Sequence, residues 1–174
     1  MPVERYLFRA MGPEEAPRMT EMVRERIAWM DREGLRSWNT SDYLAIYPLD
    51  YYEDRARRGQ LFALVRPPDG AIACAGVLLE EDERWPDGLP ALYIHHLVSA
   101  LDDRGAGRAF LACAEDCARK RGLDRLRLDC YEGNEGINAY YEGLGYLPAG
   151  LCTDGPYHGV LREKRIKICK EEQP

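Results

Sequence analysis

The chain is predicted to fold as an α/β (α+β) domain: a sheet holding both a hairpin and a crossover, with helices packed against it. Three stretches predict this. Leu92–Ser99 is apolar or aromatic along most of its length, the pattern of a strand covered on both faces. After it, Phe110, Leu111, Ala114, Cys117 and Ala118 recur at helical spacing, and Leu126–Cys130 is strand-like again. A strand, a helix and a second strand form a crossover that leaves the two strands parallel in one sheet. Finally, Leu61–Arg66 and Ala71–Leu79 are two apolar runs separated by Pro67-Pro68-Asp69-Gly70, a turn sequence that makes them a hairpin.

The other elements can be placed in chain order. Val3–Ala10 reads as a first strand, broken by Gly12 and Pro13. A helix carries Ala16, Met19, Met22, Val23, Ile27 and Met30 on one stripe, has Glu14 and Glu15 at its start, and stops at Gly34. Leu35–Leu49 is irregular and holds Trp38, Tyr43 and Tyr47. Pro48 opens a short helix over Leu49–Arg58, closed by Gly59. Glu80–Pro90 is a polar loop. Asn134 can cap a helix whose stripe is Ile137, Tyr140, Tyr141 and Leu144 and whose stop is Gly145. Tyr146–Leu151 and Val160–Ile168 are the last strands, joined through Asp154-Gly155-Pro156, and the tail Glu171–Pro174 is expected to be loose.

At 174 residues the chain suits one domain spanning 1–174 with a sizeable core. Its 45% hydrophobic and 31% charged content is that of an ordinary globular protein. No apolar run approaches the ~18 residues that span a bilayer. The start, Met1 to Arg5, lacks the basic and apolar blocks of a signal peptide, so a cytoplasmic protein with no membrane partner is expected. A net charge of −6 argues against nucleic acid as partner and has the sign that suits a cationic substrate. The cysteines at 74, 113, 117, 130, 152 and 169 do not form a disulfide framework in such a setting. Cys113 and Cys117 lie one helical turn apart, but without a CxxC or clustered histidines they read as small hydrophobes, and no metal is expected.

Chemistry concentrates in Arg104-Gly105-Ala106-Gly107-Arg108-Ala109, between the strand and the helix. Its glycines can take φ > 0 and let a ligand approach the backbone. The first amides of a helix have no intrahelical partner and sit at the positive end of the dipole, so a pyrophosphate is a natural guest. The other phosphate-loop patterns, GxxxxGK[ST] and a GxGxxG directly after a strand, are absent.

These six residues match the [Q/R]-x-x-G-x-[G/A] signature, and Asn134 to Tyr146, NEGINAYYEGLGY, matches an N-x-x-[apolar]-x-x-x-Y-x-x-x-G-[F/Y] element. The two motifs in this order resemble the GCN5-related N-acetyltransferase (GNAT) superfamily over about Ala71–Lys167. The resemblance implies a mixed, mostly antiparallel sheet in which the central strand and Leu126–Cys130 splay apart around a pantetheine arm. It implies acetyl-CoA as cofactor, with the pyrophosphate on Arg104, Gly105, Ala106, Gly107, Arg108 and Ala109, and Asn134 beside it. The thioester carbonyl is expected on a backbone amide at Leu97, Val98 or Ser99; the turn after Val98 is about one residue longer than the family pattern and leaves open which. Tyr141 would be the general acid, since a phenol can protonate a thiolate of similar basicity. Trp38, Asn39, Tyr43 and Tyr47 are candidate substrate contacts. His95 and His96, adjacent on a strand and therefore expected on opposite faces, are candidate bases; Glu80, Glu81, Asp82 or water are alternatives. The implied activity is acetyl transfer to the amine of a small molecule or peptide by direct attack in a ternary complex, with a homodimer open by association. The competing classes are a non-catalytic acyl-CoA-binding module of the same fold, transfer of another acyl group, and transfer to a hydroxyl.

Overall fold

The computed structural model describes residues 5–168. Val3, Cys169 and the tail 171–174 lie outside them. Strand β1 (Leu7–Ala10) leads into helix α1 (Ala16–Glu33). One-turn α2 (Tyr43–Ile46) and α3 (Leu49–Arg57) come next, then β2 (Leu61–Val65), β3 (Ile72–Leu79) and β4 (Leu92–Ser99). Helix α4 (Ala106–Lys120), β5 (Arg125–Tyr131), α5 (Glu135–Gly143), β6 (Leu147–Asp154) and β7 (Tyr157–Arg165) complete the chain. The strands form one seven-stranded sheet in the order β1-β2-β3-β4-β5-β7-β6. Every neighbouring pair is antiparallel except β4–β5, the two strands that the α4 crossover joins. The mixed, mostly antiparallel sheet is the one the sequence led us to expect.

Local chemistry sets the ends of these elements. Gly34 closes α1 at φ 67°, a left-handed conformation that costs a glycine little, and the Leu35 N–H returns to the Met30 carbonyl at 2.9 Å. The last hairpin is longer than expected on its turn side: β6 runs on to Asp154 and β7 begins at Tyr157. A two-residue loop needs φ > 0 at its first central position, and Gly155 supplies it at 55°. Tyr146, expected to open β6, instead lies fully buried against α5, with its ring 5.9 Å from that of Tyr141.

The core has two main halves, one per sheet face. Phe110, Leu111 and Ala114 of α4 pack with Leu126, Leu128, Tyr141 and Tyr146. Gly76 makes room for this, since a Cβ there would lie 3.0 Å from the Phe110 ring. On the other face Met19, Met22 and Val23 of α1 and Tyr52 of α3 pack on Leu61, Val77 and Val98. A smaller patch pins the loop 80–90. There the Arg127 guanidinium, 1% exposed, lies 4.2 Å from the Trp85 ring centre and donates to Asp87 at 2.7 and 2.8 Å and to Glu163 at 2.8 Å. Among the described residues no helix is long and apolar enough to cross a membrane.

Two departures from a regular sheet shape the cavity beside it. β4 and β5 pair only at Leu92↔Leu126 and Tyr93↔Arg127, after which the strands part and leave a seam. And β4 bulges: Ala75 pairs with Val98 and Val77 with His95, so His96 and Leu97 together oppose Gly76. His96 sits at φ 54°, the only non-glycine positive φ among the described residues. The expectation that His95 and His96 face opposite sides rests on strict alternation, which the extra residue breaks. Their rings lie 5.8 Å apart and both border the same cavity.

Candidate active site

The seam opens into a cavity of about 930 Å³ that runs from the head of α4 to the aromatic segment before α3. At the head of α4, Gly105 holds φ 90°, outside the range of ordinary side chains, and helical geometry begins at Ala106. The preceding turn is fixed by buried Asp103, which accepts from the Tyr6 hydroxyl at 2.5 Å and from Arg5 at 3.1 Å. Arg104, Gly105, Gly107 and Arg108 line the cavity. Ala106 and Ala109 turn their side chains into the core beneath α4 instead. Across the mouth, Asn134 caps α5 by accepting from the Ile137 N–H at 3.1 Å and lines the opposite wall. Tyr140, expected on the buried stripe of α5, is 40% exposed and reaches over the α4 terminus; a Cβ on Gly107 would lie 3.5 Å from its hydroxyl.

Midway, Tyr141 is buried and borders the cavity with Ile94 and Leu97 of β4 and Leu128 and Cys130 of β5. Burial, followed by the neighbouring Cys130 thiol and tyrosines, pushes its phenol well above the ordinary value of 10, so the group keeps its proton. Of the three candidate carbonyl positions, Leu97 and Ser99 line the cavity, while Val98 points into the core under α1 and α3. The Ser99 carbonyl accepts from Arg26 at 2.8 Å.

At the far end the rings of Trp38 and Tyr43 stack at 4.9 Å, with Tyr47 beside them. All three line the cavity. Asn39 does not belong to this wall. Its amide nitrogen donates to Asp31 and to the Leu35 carbonyl at 2.8 Å each, and its oxygen accepts from the Ser37 N–H at 3.0 Å, so it is spent on holding the turn. Tyrosine hydroxyls engage both nitrogens of His96: Tyr43 at Nδ1, and Tyr51 at Nε2 at 3.1 Å. Burial first, then the charges of His95, Arg84 and Arg55, hold the His96 imidazole well below its usual 6.5. A neutral ring has one N–H and one lone pair, so one tyrosine accepts from it and the other donates to it.

His95 is placed differently. Its Nε2 lies 3.0 Å from Asp82 Oδ2, with the two side chains 12% and 9% exposed. Burial raises the Asp82 carboxyl, but the bonds from His95 and from the Arg84 N–H at 2.9 Å outweigh it and hold the group below the ordinary carboxylate range. Asp129 of β5 completes the cluster. It accepts from the Tyr157 hydroxyl at 2.7 Å and from Arg84 at 3.3 Å, and Arg84 also reaches Asp154 at 3.3 Å. One ligand-type atom from each of Asp82, His95 and Asp129 lies within 4.8 Å of the others. The hydrogen bonds they already make account for that grouping without a metal.

Sequence reasoning missed Arg84, Asp129, Tyr157 and Tyr51 in this region. For Asp129 there was one signal, a lone acid inside the apolar strand LRLDC.

The sequence model of the acetyltransferase (GNAT) family matches residues 19–146. An uncharacterised N-acetyltransferase, YesJ, of Bacillus subtilis (strain 168) is 25% identical over 162 residues, covering 88% of this chain and 86% of that protein. Solved structures share the fold at lower identity. A GNAT-family acetyltransferase from Streptococcus agalactiae superposes with a TM-score of 0.76 at 18% identity, covering 94% of this chain and 97% of its own. One from Listeria monocytogenes gives 0.74 at 21%, with 92% and 95% covered. The PaiA N-acetyltransferase of Thermoplasma acidophilum, solved with coenzyme A, gives 0.72 at 18%, with 92% and 98% covered. The matched span takes in the glycine turn, the open seam and Tyr141, and the chain belongs to the acetyltransferase (GNAT) family.

Proposed function

We propose that this protein is an acetyl-CoA-dependent N-acetyltransferase that works by direct attack of an amine within a ternary complex. The observation that carries this reading is Tyr141, held protonated in the seam between β4 and β5, with the glycine turn of α4 opening at the same cavity. The residues fit the cofactor. Gly105 holds the left-handed turn from which α4 starts, no side chain caps the first amides of that helix, and Arg104 and Arg108 add charge for a pyrophosphate. The seam suits a narrow pantetheine arm.

Acetyl transfer from a thioester to an amine needs a deprotonated amine, a stabilised carbonyl oxygen and a proton for the departing thiolate. The bulge takes Leu97 and His96 out of one-to-one pairing, so its unpaired backbone favours Leu97 among the candidate amides for the carbonyl oxygen. Tyr141 protonates the thiolate. His95, oriented by Asp82, accepts the proton of the amine, while His96, with both nitrogens engaged by tyrosines, serves as structure.

The test is calorimetric titration with acetyl-CoA, then thiol release over a panel of amines. Binding with amine-dependent thiol release is expected. Binding with no release for any acceptor would favour a non-catalytic acyl-CoA-binding module, and no binding would end the acyltransferase reading.

A further inference from the structure

The acceptor end of the cavity has a charge pattern that the transfer reaction does not by itself require. Two carboxylates that line it, Asp129 and Asp154, accept from the Arg84 guanidinium at 3.3 Å each, and a third, Asp82, accepts from the Arg84 backbone N–H at 2.9 Å beside His95. Arg84 is already committed to Asp129 and Asp154. The other basic side chains on the cavity are placed elsewhere: Arg26 bonds Ser99 and stacks on Trp29 at 4.7 Å, and Arg104 and Arg108 stand at the head of α4. A carboxylate entering this end would meet acids without a free cation to receive it.

Resting on the acyltransferase reading, we infer that Asp129, set beside the Asp82–His95 pair, docks the protonated amine, and that the acceptor is a small organic amine, cationic at neutral pH and without a carboxylate next to its amino group. Asp129 is nearly buried (its side chain is 9% exposed), faces the cavity, and its oxygens retain lone pairs beyond those used by Tyr157 and Arg84. An ammonium held there lies within reach of His95, because the reactive atoms of the two side chains are no more than 4.8 Å apart. The rings of Trp38, Tyr43 and Tyr47 wall the same end and suit an apolar or aromatic body behind the cation.

In the transfer, the ammonium gives one proton to His95. The freed lone pair forms the C–N bond to the thioester carbonyl. The nitrogen loses its second proton to water as the C–S bond breaks, and the thiolate takes a proton from Tyr141. Tyr141 is reprotonated from water and His95 releases its proton to water, so one ammonium and one thioester yield one amide, one thiol and one released proton.

The test compares matched pairs by thiol release: tyramine with tyrosine, tryptamine with tryptophan, cadaverine with lysine, and a short C-terminally amidated peptide. Each decarboxylated amine is expected to exceed its amino acid at least about tenfold in kcat/KM, the scale of one unfavourable charge contact. Asp129→Asn is expected to raise the amine KM about 10- to 100-fold, the worth of one charged hydrogen bond, with acetyl-CoA affinity unchanged as proof of fold. Equal use of amines and amino acids, acetylation of the peptide alone, or an unchanged amine KM in Asp129→Asn would each overturn the inference while leaving the acyltransferase reading intact. Absence of acetyl-CoA binding in the native protein would instead remove that reading, and the inference with it.

Discussion

The Nε2 of His95 lies 3.0 Å from the Oδ2 of Asp82, and the two groups come from different parts of the chain, β4 and the loop before it. A carboxylate in that position selects the ring tautomer and fixes the orientation of the imidazole. His95→Gln is expected to lower kcat/KM for the amine by about 100-fold or more at pH 7. The remaining rate should rise about tenfold per pH unit until the amine is free, near pH 10 for an alkylamine. A rate unchanged from the native protein would remove His95 from the mechanism.

Tyr141→Phe deletes one oxygen from a buried ring and leaves the packing against Tyr146 in place. Turnover is expected to fall about 10²-fold or more, while acetyl-CoA affinity by calorimetry stays within a few-fold. Native turnover would show that the thiolate is protonated by another group.

Gly107→Leu places a side chain between the first turn of α4 and Tyr140, whose hydroxyl would be 3.5 Å from the new Cβ. Acetyl-CoA affinity is expected to drop tenfold or more, with a thermal midpoint close to native. Unchanged affinity would refute the phosphate role of the turn.

His96 supplies a prediction about pH and stability. Its folded-state affinity for protons is depressed well below the ordinary 6.5, so below about pH 6.5 the unfolded chain binds a proton that the native protein refuses. This contribution leaves stability untouched above pH 6.5. As pH falls below it, stability declines by about 1.4 kcal/mol per unit until the folded group also titrates. The check is an NMR titration of the imidazole, expected to stay neutral at pH 5.5, beside thermal midpoints measured from pH 7.5 to 5.5. A His96 that titrates near 6.5 would refute the buried, neutral assignment.

The glycine turn, the PDG hairpin, the crossover and the tyrosine of α5 were legible in the sequence because each depends on local chemistry: φ > 0 at Gly105, a helix cap at Asn134, helical spacing up to Tyr141. The faces of His95 and His96 were not. One extra residue in a continuous apolar run leaves no trace in periodicity, yet it reverses which side every later residue takes. Asn39 was a candidate contact by resemblance, as part of the connection between the first two helices, but its amide is consumed by bonds to Ser37 and Leu35 of its own turn and to Asp31 at the end of α1. The cluster of Arg84, Asp129, Asp154 and Tyr157 gathers three distant parts of the chain, the loop before β4, strand β5 and the turn side of the β6–β7 hairpin, and no local pattern announces such a meeting.

The two-pair ladder between β4 and β5 also bears on the order of events during turnover. A sheet interrupted in this way behaves as two plates joined at one end, β1 to β4 on one side and β5, β7 and β6 on the other. Tyr43 and Tyr47 rest on the first plate through His96, whereas Asp129 and Tyr157 belong to the second. Arg84, on the loop before β4, already ties the two walls at Asp129 and Asp154, and only a second bridge along the unpaired length of the seam fixes their spacing further. A thioester-bearing arm laid in the seam is that bridge, so the acyl donor is expected to add first and the acceptor second, with initial-rate patterns of compulsory order.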